Sequence, residues 1–462
     1  MFTSLRLERF KNFKDAELKL GPFTVLIGAN ASGKSNIRDA FRFLHGISRG
    51  YSLADIIGEK YGEGGERIWS GIRGGAREIT FSGNRTFVLT SQSIVPSGVQ
   101  PLGHDRDYGG EALHYQIGVE IKQKELIPQV MLESLDICDG LNLFLSRSKN
   151  RHYHQAKLYN TSTKFKHVGP YTLPRTIPFL GQMPAELRNW PFGSQFVMIN
   201  ESKDLYLNGQ FSDFCQELDD VLTIFRSNRF FDWSLDALRQ PSMPGQEVLS
   251  DNGRNLSSVL LSICEDAQSK QILLSWVHEL TPMDVVDLEF PADPAGRVLA
   301  TLIERNKQKT TLASASDGTL RFLAFLASFL GPETPSFYFF EELENGIHPT
   351  RLNLLVDLIE NQVKNKKIQV VATTHSPQLL GRLSKESLED ASLVYRLPDQ
   401  PDARIIPVLE MPHAKRLIKK QKLAHLFASG WFETTAHFMQ PDLDDSNALA
   451  NSGHDKTASP FA

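Results

Sequence analysis

The chain has 462 residues, 41% of them hydrophobic, and a formal net charge of −4. That length exceeds one average domain and can bury a large core, and the small charge excludes any global pull toward nucleic acid or anionic lipid. Cys138, Cys215 and Cys264 lie far apart with no C-x-x-C pair, which argues against a zinc site or disulfide framework and fits a reducing cytoplasm.

In chain order, Met1 to Leu20 lacks the apolar stretch of a secretion signal. Phe23 to Ile27 is a short apolar run behind Gly21-Pro22 and reads as a buried strand. A glycine-containing turn follows, then a helix from about Lys34 with Ile37, Ala40, Phe41 and Leu44 on one face. Gly46 to Gly110 is polar and glycine-rich, with β-like runs at Glu78–Phe81 and, further on, His114–Ile121. Leu205–Phe225 and Asn255–Leu280 look helical. Phe337–Phe340 and Ile368–Ala372 read as strands around a helix from Pro349 to Val363, and this alternation implies a parallel sheet. The most apolar stretch, Leu320–Leu330, is about half the length that spans a bilayer, so no membrane contact is expected. From Pro441 onward the chain is polar and is expected to be disordered.

Four motifs carry chemistry. Gly28-Ala29-Asn30-Ala31-Ser32-Gly33-Lys34-Ser35 satisfies G-x-x-x-x-G-K-[ST] between a strand and a helix, the context that phosphate loop requires. Its backbone N–H groups would cradle phosphate, Lys34 would reach the β and γ phosphates of ATP, and the Ser35 hydroxyl would ligate Mg²⁺. Phe337–Phe340 ends in Glu341-Glu342, where the first carboxylate can join the Mg²⁺ shell and the second can act as general base on water. Successive strand residues point to opposite sides, so the two need different jobs unless the strand breaks there. Ser316-Asp317-Gly318 opens an apolar helix, and a helix N-terminus is a second phosphate-binding end. His375 stands just past a strand and reads as a γ-phosphate sensor. Each has a plainer reading alone: helix cap, acidic strand end or structural histidine. Their order makes the chemical reading the better one.

That order resembles the ABC-type ATPases, and within them the SMC/RecF-like branch, most closely the ATPase domain of OLD-family proteins. The residues that carry it are Asn12-Phe13, the phosphate loop through Asn36, Ser316 to Arg321, Glu341 to Pro349 and Thr374 to Pro377, with Asp251 to Leu256 as a further recurring segment. The resemblance implies an α/β fold, a P-loop head of mixed sheet, flanking helices and an antiparallel β part, with an inserted, mainly helical lobe. The expected division is residues 1–200 and 301–400 for the two parts of the head, 201–300 for the lobe, 401–440 for an extension and 441–462 for the tail. It also implies a homodimer or higher even oligomer in which Ser316 and Gly318 act in trans on a neighbour's γ-phosphate. Glu342 and His375 would be catalytic, and Glu341, where aspartate is more usual, would face the metal. Long coiled-coil arms are absent, and no fused topoisomerase–primase nuclease is expected after His375; Asp442 and Asp444 fall in the expected tail.

The implied role is in DNA repair or anti-phage defence, with a separately encoded effector (a nuclease or toxin). Ser146–Arg175 has no acidic residue and interleaves Arg147, Lys149, Arg151, Lys157, Lys164, Lys166 and Arg175 with Tyr153, Tyr159, Phe165 and Tyr171, so it could contact DNA, or be a solvated hairpin. Lys415, Arg416, Lys419, Lys420 and Lys422 form a second basic cluster on an expected helix, which could dock a partner or be a merely solvated face. The alternative is an ATP-dependent scaffold that restrains a partner protein without touching DNA.

Overall fold

A computed structural model describes residues 1–95, 111–122, 125–137, 141–148, 153–158, 168–178, 180, 197–200, 203–206, 222–281, 283–366, 368–397, 400–415, 429–430 and 435. Its centre is a sheet of 14 strands in two regimes. Ser392–Arg396, Phe23–Ile27, Gln369–Thr374, Phe337–Phe340 and Asn228–Phe231 lie side by side, all parallel. On the other side, Phe2–Phe10 pairs with Phe13–Lys19 and Thr86–Val95, and an antiparallel meander continues through Glu111–Lys122 and Ile127–Ile137 to Val168–Pro174. Ala403–Pro407 joins the regimes, antiparallel to Ser392–Arg396 and parallel to Phe13–Lys19.

The parallel strands read as unbroken apolar runs because both their faces are covered. Every residue of Phe23–Ile27, Phe337–Phe340 and Gln369–Thr374 is buried. The period of two then splits each strand between two cores. Tyr338, Phe340, Val370 and Ala372 face the core built with the helices Leu256–Glu265, Asp317–Leu330 and Leu352–Lys366. Phe337, Phe339 and Val371 face the other, with the helix Lys34–Ser48 and the antiparallel strands. Phe13–Lys19 buries Phe13, Ala16 and Leu18 and alternates between exposed and buried residues from Asp15 onward.

Three expectations change. Glu78–Phe81 is no strand: Gly75–Glu78 is a short helix and Phe81–Gly83 a 3-10 turn, with Thr80 alone bridging Phe10. The left-handed backbone at Gly74, Gly75, Ser82 and Gly83 breaks any extended run there. Leu205 and Tyr206 belong to a strand, Lys203–Tyr206, hairpinned onto Val197–Asn200; residues 207–221 of that expected helix lie outside the described residues. Asn255–Leu280 is two helices, Leu256–Glu265 and Ala267–Leu280, broken at Asp266. Asp266 has extended backbone, and its carboxylate accepts the Ser269 N–H at 2.7 Å as a cap. The helices of the 201–300 region are joined by β structure: Asn228–Phe231 in the main sheet, and Val285–Glu289 in a three-stranded antiparallel sheet with Thr301–Glu304 and Lys309–Thr311. The basic cluster beyond Lys415 and residues 441–462 lie outside the described residues. Among the described residues no helix is long and apolar enough to cross a membrane.

Candidate active site

The phosphate loop leaves the strand Phe23–Ile27 and runs into the helix Lys34–Ser48. Gly28 has φ 156°, and a Cβ there would stand 2.1 Å from the Val394 carbonyl oxygen, so only glycine lets the neighbouring strand come this close. Gly33, at φ 121°, is pressed against Asn12 and Phe13 of the N-terminal hairpin in the same way. Asn12 braces the loop: its Nδ2 donates to the Ser32 carbonyl at 3.2 Å, and its Oδ1 accepts from Asn36 Nδ2 at 2.7 Å. Lys34 Nζ folds back to donate to the carbonyls of Gly28 and Ala29 at 2.7 and 2.8 Å. Burial lowers its pKa to about 8, against the opposing pull of Glu342, Glu344 and Glu341. Ser32 Oγ is buried without a hydrogen-bond partner.

The carboxylates follow from the end of the acidic strand. The strand stops at Phe340, and Glu342 takes left-handed backbone with φ 48°. That break, fixed by the Glu342 N–H donating to Thr373 Oγ1 at 2.9 Å, sets the two side chains in different surroundings without alternation. Glu341 turns inward, ion-paired with Arg38 through Oε2, while its Oε1 is buried without a hydrogen-bond partner. Glu342 stays half-exposed, its Oε1 4.0 Å from His375 Nε2. The His375 N–H donates to Glu344 Oε1 at 2.7 Å, which ties the histidine to the loop after the acidic strand. Burial, and next the charge of Lys34, lower the His375 pKa from its ordinary value, partly offset by Glu344 and Glu342.

Asn30, Ser32, Gly33, Lys34, Ser35, Asn36, Glu341, Glu342 and His375 all line one cleft of about 630 Å³. Gly28 lies beneath it as the anchor of Lys34. Ser316 and Gly318 do not line it. Ser316 caps the helix Asp317–Leu330, accepting the Thr319 N–H at 3.2 Å, and with Gly318, His348 and Arg351 it borders a separate hollow of about 500 Å³. Gly318 packs near the Gly346 carbonyl, 3.2 Å from where a Cβ would sit.

Among the cleft-wall groups to which sequence reasoning gave no site role are Arg73, Asp232, Trp233, Arg321 and Arg396. Arg73 Nη2 donates to the Ser35 carbonyl at 2.7 Å, and the signal was an arginine set between glycines, Gly71-Ile72-Arg73-Gly74. Arg321 closes the signature segment, and its Nε is buried without a hydrogen-bond partner. Trp233 explains the recurring segment from Asp251. The carbonyls of Asp251 and Asn252 accept the N–H groups of Asp232 and Ser234, and Gly253 leaves room for Trp233 and Leu238. That segment is a clamp on the cleft wall. In the basic stretch, Arg175 is buried, donating to the Val130 carbonyl at 3.0 Å and to Glu120 at 3.2 Å; the side chains from 146 to 174 lie outside the described residues.

Residues 23–91 and 193–381, over half of the chain, match the family described as "AAA domain, putative AbiEii toxin, Type IV TA system". The chain belongs to that family. A protein of Helicobacter pylori (strain ATCC 700392 / 26695) named ATP/GTP phosphatase is 33% identical over 397 residues, 82% of this chain and 86% of the relative. Structural maintenance of chromosomes protein 1 of Arabidopsis thaliana is 45% identical over 60 residues, 12% of this chain and 5% of that protein. Among solved structures, an Smc head bound to the C-terminal winged-helix domain of ScpA aligns at TM-score 0.45 and 12% identity, covering 88% of this chain and 97% of that one. An Smc head bound to the C-terminal domain of ScpA from Pyrococcus furiosus aligns at TM-score 0.43 and 15% identity, covering 91% and 98%. With the phosphate loop, acidic strand end and strand-end histidine meeting in one cleft, this family member is a P-loop ATPase, and its motif order resembles that of the ABC-type ATPases.

Proposed function

We propose that two copies of this chain close around ATP, each supplying Ser316 and Gly318 to the other's phosphate loop. One observation carries the reading: the cleft gathers the expected groups, with Gly28 anchoring Lys34 from just outside it, but not Ser316 and Gly318, which sit at a helix N-terminus on a separate hollow. In this reading Lys34 and the loop N–H groups hold the β and γ phosphates. Ser35 and Glu341 are oxygen donors suited to a hard cation, and the unpartnered Glu341 Oε1 is the atom that fits Mg²⁺. Bound there, Mg²⁺ would supply positive charge beside the phosphates. Glu342 takes the proton of the attacking water, and His375 stands beside it to meet the γ-phosphate. Hydrolysis then removes the bridge between the two copies.

The work done by this cycle is, in our reading, DNA repair or anti-phage defence in the cytoplasm with a separately encoded nuclease or toxin. The motif residues that resemble OLD ATPase domains favour it, as does the mention of a toxin in the family's description. One observation favours the scaffold alternative: Arg175 is withdrawn from the basic stretch, buried and ion-paired with the partly exposed Glu120.

The test is complementation. Lys34→Ala and Ser316→Arg chains should each be inactive, and mixing them in equal amounts should restore about a quarter of wild-type turnover, because random pairing makes half of the dimers mixed and one of the two composite sites in each is intact. Mixtures as dead as their components would refute the shared site. Adding single- and double-stranded DNA to the wild type separates the two roles: stimulation supports DNA as the trigger, indifference the scaffold.

A further inference from the structure

One turn below the phosphate loop, the helix Lys34–Ser48 carries a cation that its chemistry does not obviously need. Arg38 lies three residues after Ser35 and four after Lys34, so helical spacing sets it on their face. Its side chain is only 6% exposed and ion-pairs with Glu341 Oε2, Glu341 itself being 17% exposed. The other carboxylates near it are at the edge of ion-pair range, Asp39 Oδ1 and Asp232 Oδ2 each at 3.8 Å. Asp39 is already engaged by Lys11 at 3.0 Å, and Asp232 is largely exposed. Arg38 therefore belongs chiefly to Glu341. Arg73 approaches the other oxygen, Oε1, but only to 4.0 Å, so that oxygen keeps no hydrogen bond.

We propose that Arg38 is a positioning residue: an internal counter-charge that holds Glu341 by one oxygen, turns the other toward Ser35 and the phosphates, and weakens the grip of the site on divalent metal. The first effect follows from geometry. A glutamate is one methylene longer than the aspartate more usual here, and a free one would sample several rotamers. Fixing Oε2 leaves a single orientation, in which Oε1 is kept free of any hydrogen bond within the chain. The second effect follows from charge. A guanidinium bonded to a metal-binding carboxylate neutralises part of the field that draws the cation, and in a half-buried site that field is poorly screened. Both effects suit a cycle in which metal and nucleotide must leave after each turnover.

This inference rests on the metal role of Glu341 proposed above, and the experiment separates the two. Mn²⁺ binding in the presence of a non-hydrolysable ATP analogue is read by electron paramagnetic resonance for wild type, Glu341→Gln, Arg38→Met and Arg38→Lys. Loss of affinity in Glu341→Gln tests the metal role alone. Arg38→Met should bind Mn²⁺ more tightly, roughly five- to tenfold, because one neighbouring positive charge is gone. Its turnover at saturating metal should fall, and Arg38→Lys should keep wild-type affinity. A folded Arg38→Met protein with unchanged or weaker Mn²⁺ affinity overturns the proposal, whatever its turnover. If the methionine variant does not fold, Arg38→Gln, which keeps an amide donor for Glu341 without the charge, is read by the same criterion.

Discussion

Glu342 Oε1 stands 4.0 Å from His375 Nε2, and the two are held by different parts of the sheet. The carboxylate is aimed by a left-handed residue locked to Thr373, the imidazole by a backbone N–H locked to Glu344. The acidic strand and its neighbour thus cross-brace each other through Thr373 and Glu344. A γ-phosphate entering beside Lys34 would meet both groups without either strand moving.

Replacing Glu342 by glutamine should lower ATP turnover by about 10²–10⁴-fold while leaving ATP binding intact, because it removes the base but no loop contact. Phosphate release and nucleotide titration on the same preparation check it. In the nucleotide-free site the His375 pKa is lowered from its ordinary value by burial and by Lys34, which favours the neutral ring. The pH profile of kcat/KM, which reports the nucleotide-free protein, should therefore show no His375-dependent inflection above about pH 6.5, its ordinary value, and any such inflection should lie on the acid side. An inflection above that pH that disappears in His375→Asn would contradict this environment.

Lys34 makes ATP binding a proton-linked event. Without nucleotide its pKa is lowered to about 8, chiefly by burial, so a growing fraction is neutral as pH rises past that value. Phosphates beside it favour the ammonium and raise the bound-state pKa. Between about 8 and the ordinary lysine value near 10.4, binding should take up protons and affinity should fall with pH; near pH 7 neither should occur. Calorimetry at pH 8.5 in buffers of different ionisation enthalpy measures the uptake. Equal heats in all buffers would rule the linkage out.

Why these features were or were not legible is a matter of range. The parallel strands announced themselves because burial on both faces demands a continuous apolar run, as in Phe337–Phe340. The phosphate loop and the two glutamates were legible because their spacing is local. Leu205 and Tyr206 were misread because the sequence does not show the hairpin partner Val197–Asn200 that makes them a strand. Arg38 and Trp233 were invisible for the same reason at longer range. Arg38 matters through Glu341, 303 residues away, and Trp233 through a clamp in the next loop. That Glu341 and Glu342 would point different ways was expected from strand alternation, whereas in the structure a positive φ at Glu342 accompanies their divergence.

Acid should destabilise the fold through His45. Its ring is buried against Trp69 and Phe230, and Nδ1 lies 2.8 Å from the Phe225 carbonyl, so the neutral tautomer protonated at Nδ1 fits. Burial first, and nearby arginines, depress its pKa to about 3. The folded value lies below the unfolded one near 6.5, so the unfolded chain binds the extra proton. The associated stability is full above pH 6.5 and is lost as pH falls from there toward 3, by about 1.4 kcal/mol per pH unit. Denaturant melts at pH 7 and pH 5 should differ by about 2 kcal/mol from this group, and His45→Gln should flatten that slope even if it lowers stability at both. An unchanged slope would place the acid sensitivity elsewhere.

Asn12 offers a test of whether the phosphate loop is pre-formed by the hairpin or stands alone. Its amide bridges the Ser32 carbonyl and the Asn36 side chain, and its position against Gly33 leaves no room for any side chain there. Two hydrogen bonds of ordinary worth are about 1–3 kcal/mol in total. Removing them with Asn12→Ala should not unfold a chain with two large cores, but it frees the loop to leave the phosphate-ready shape. ATP affinity should then fall about tenfold, since binding must restore that order. Turnover at saturating ATP should stay near wild type, because Asn12 makes no hydrogen bond to Glu341, Glu342 or His375. Trp233, in the wall of the same cleft, gives a fluorescence signal for the titration. Unchanged affinity would mean that the loop holds its own shape. A loss of turnover at saturation would mean instead that the hairpin positions the carboxylates as well as the phosphates.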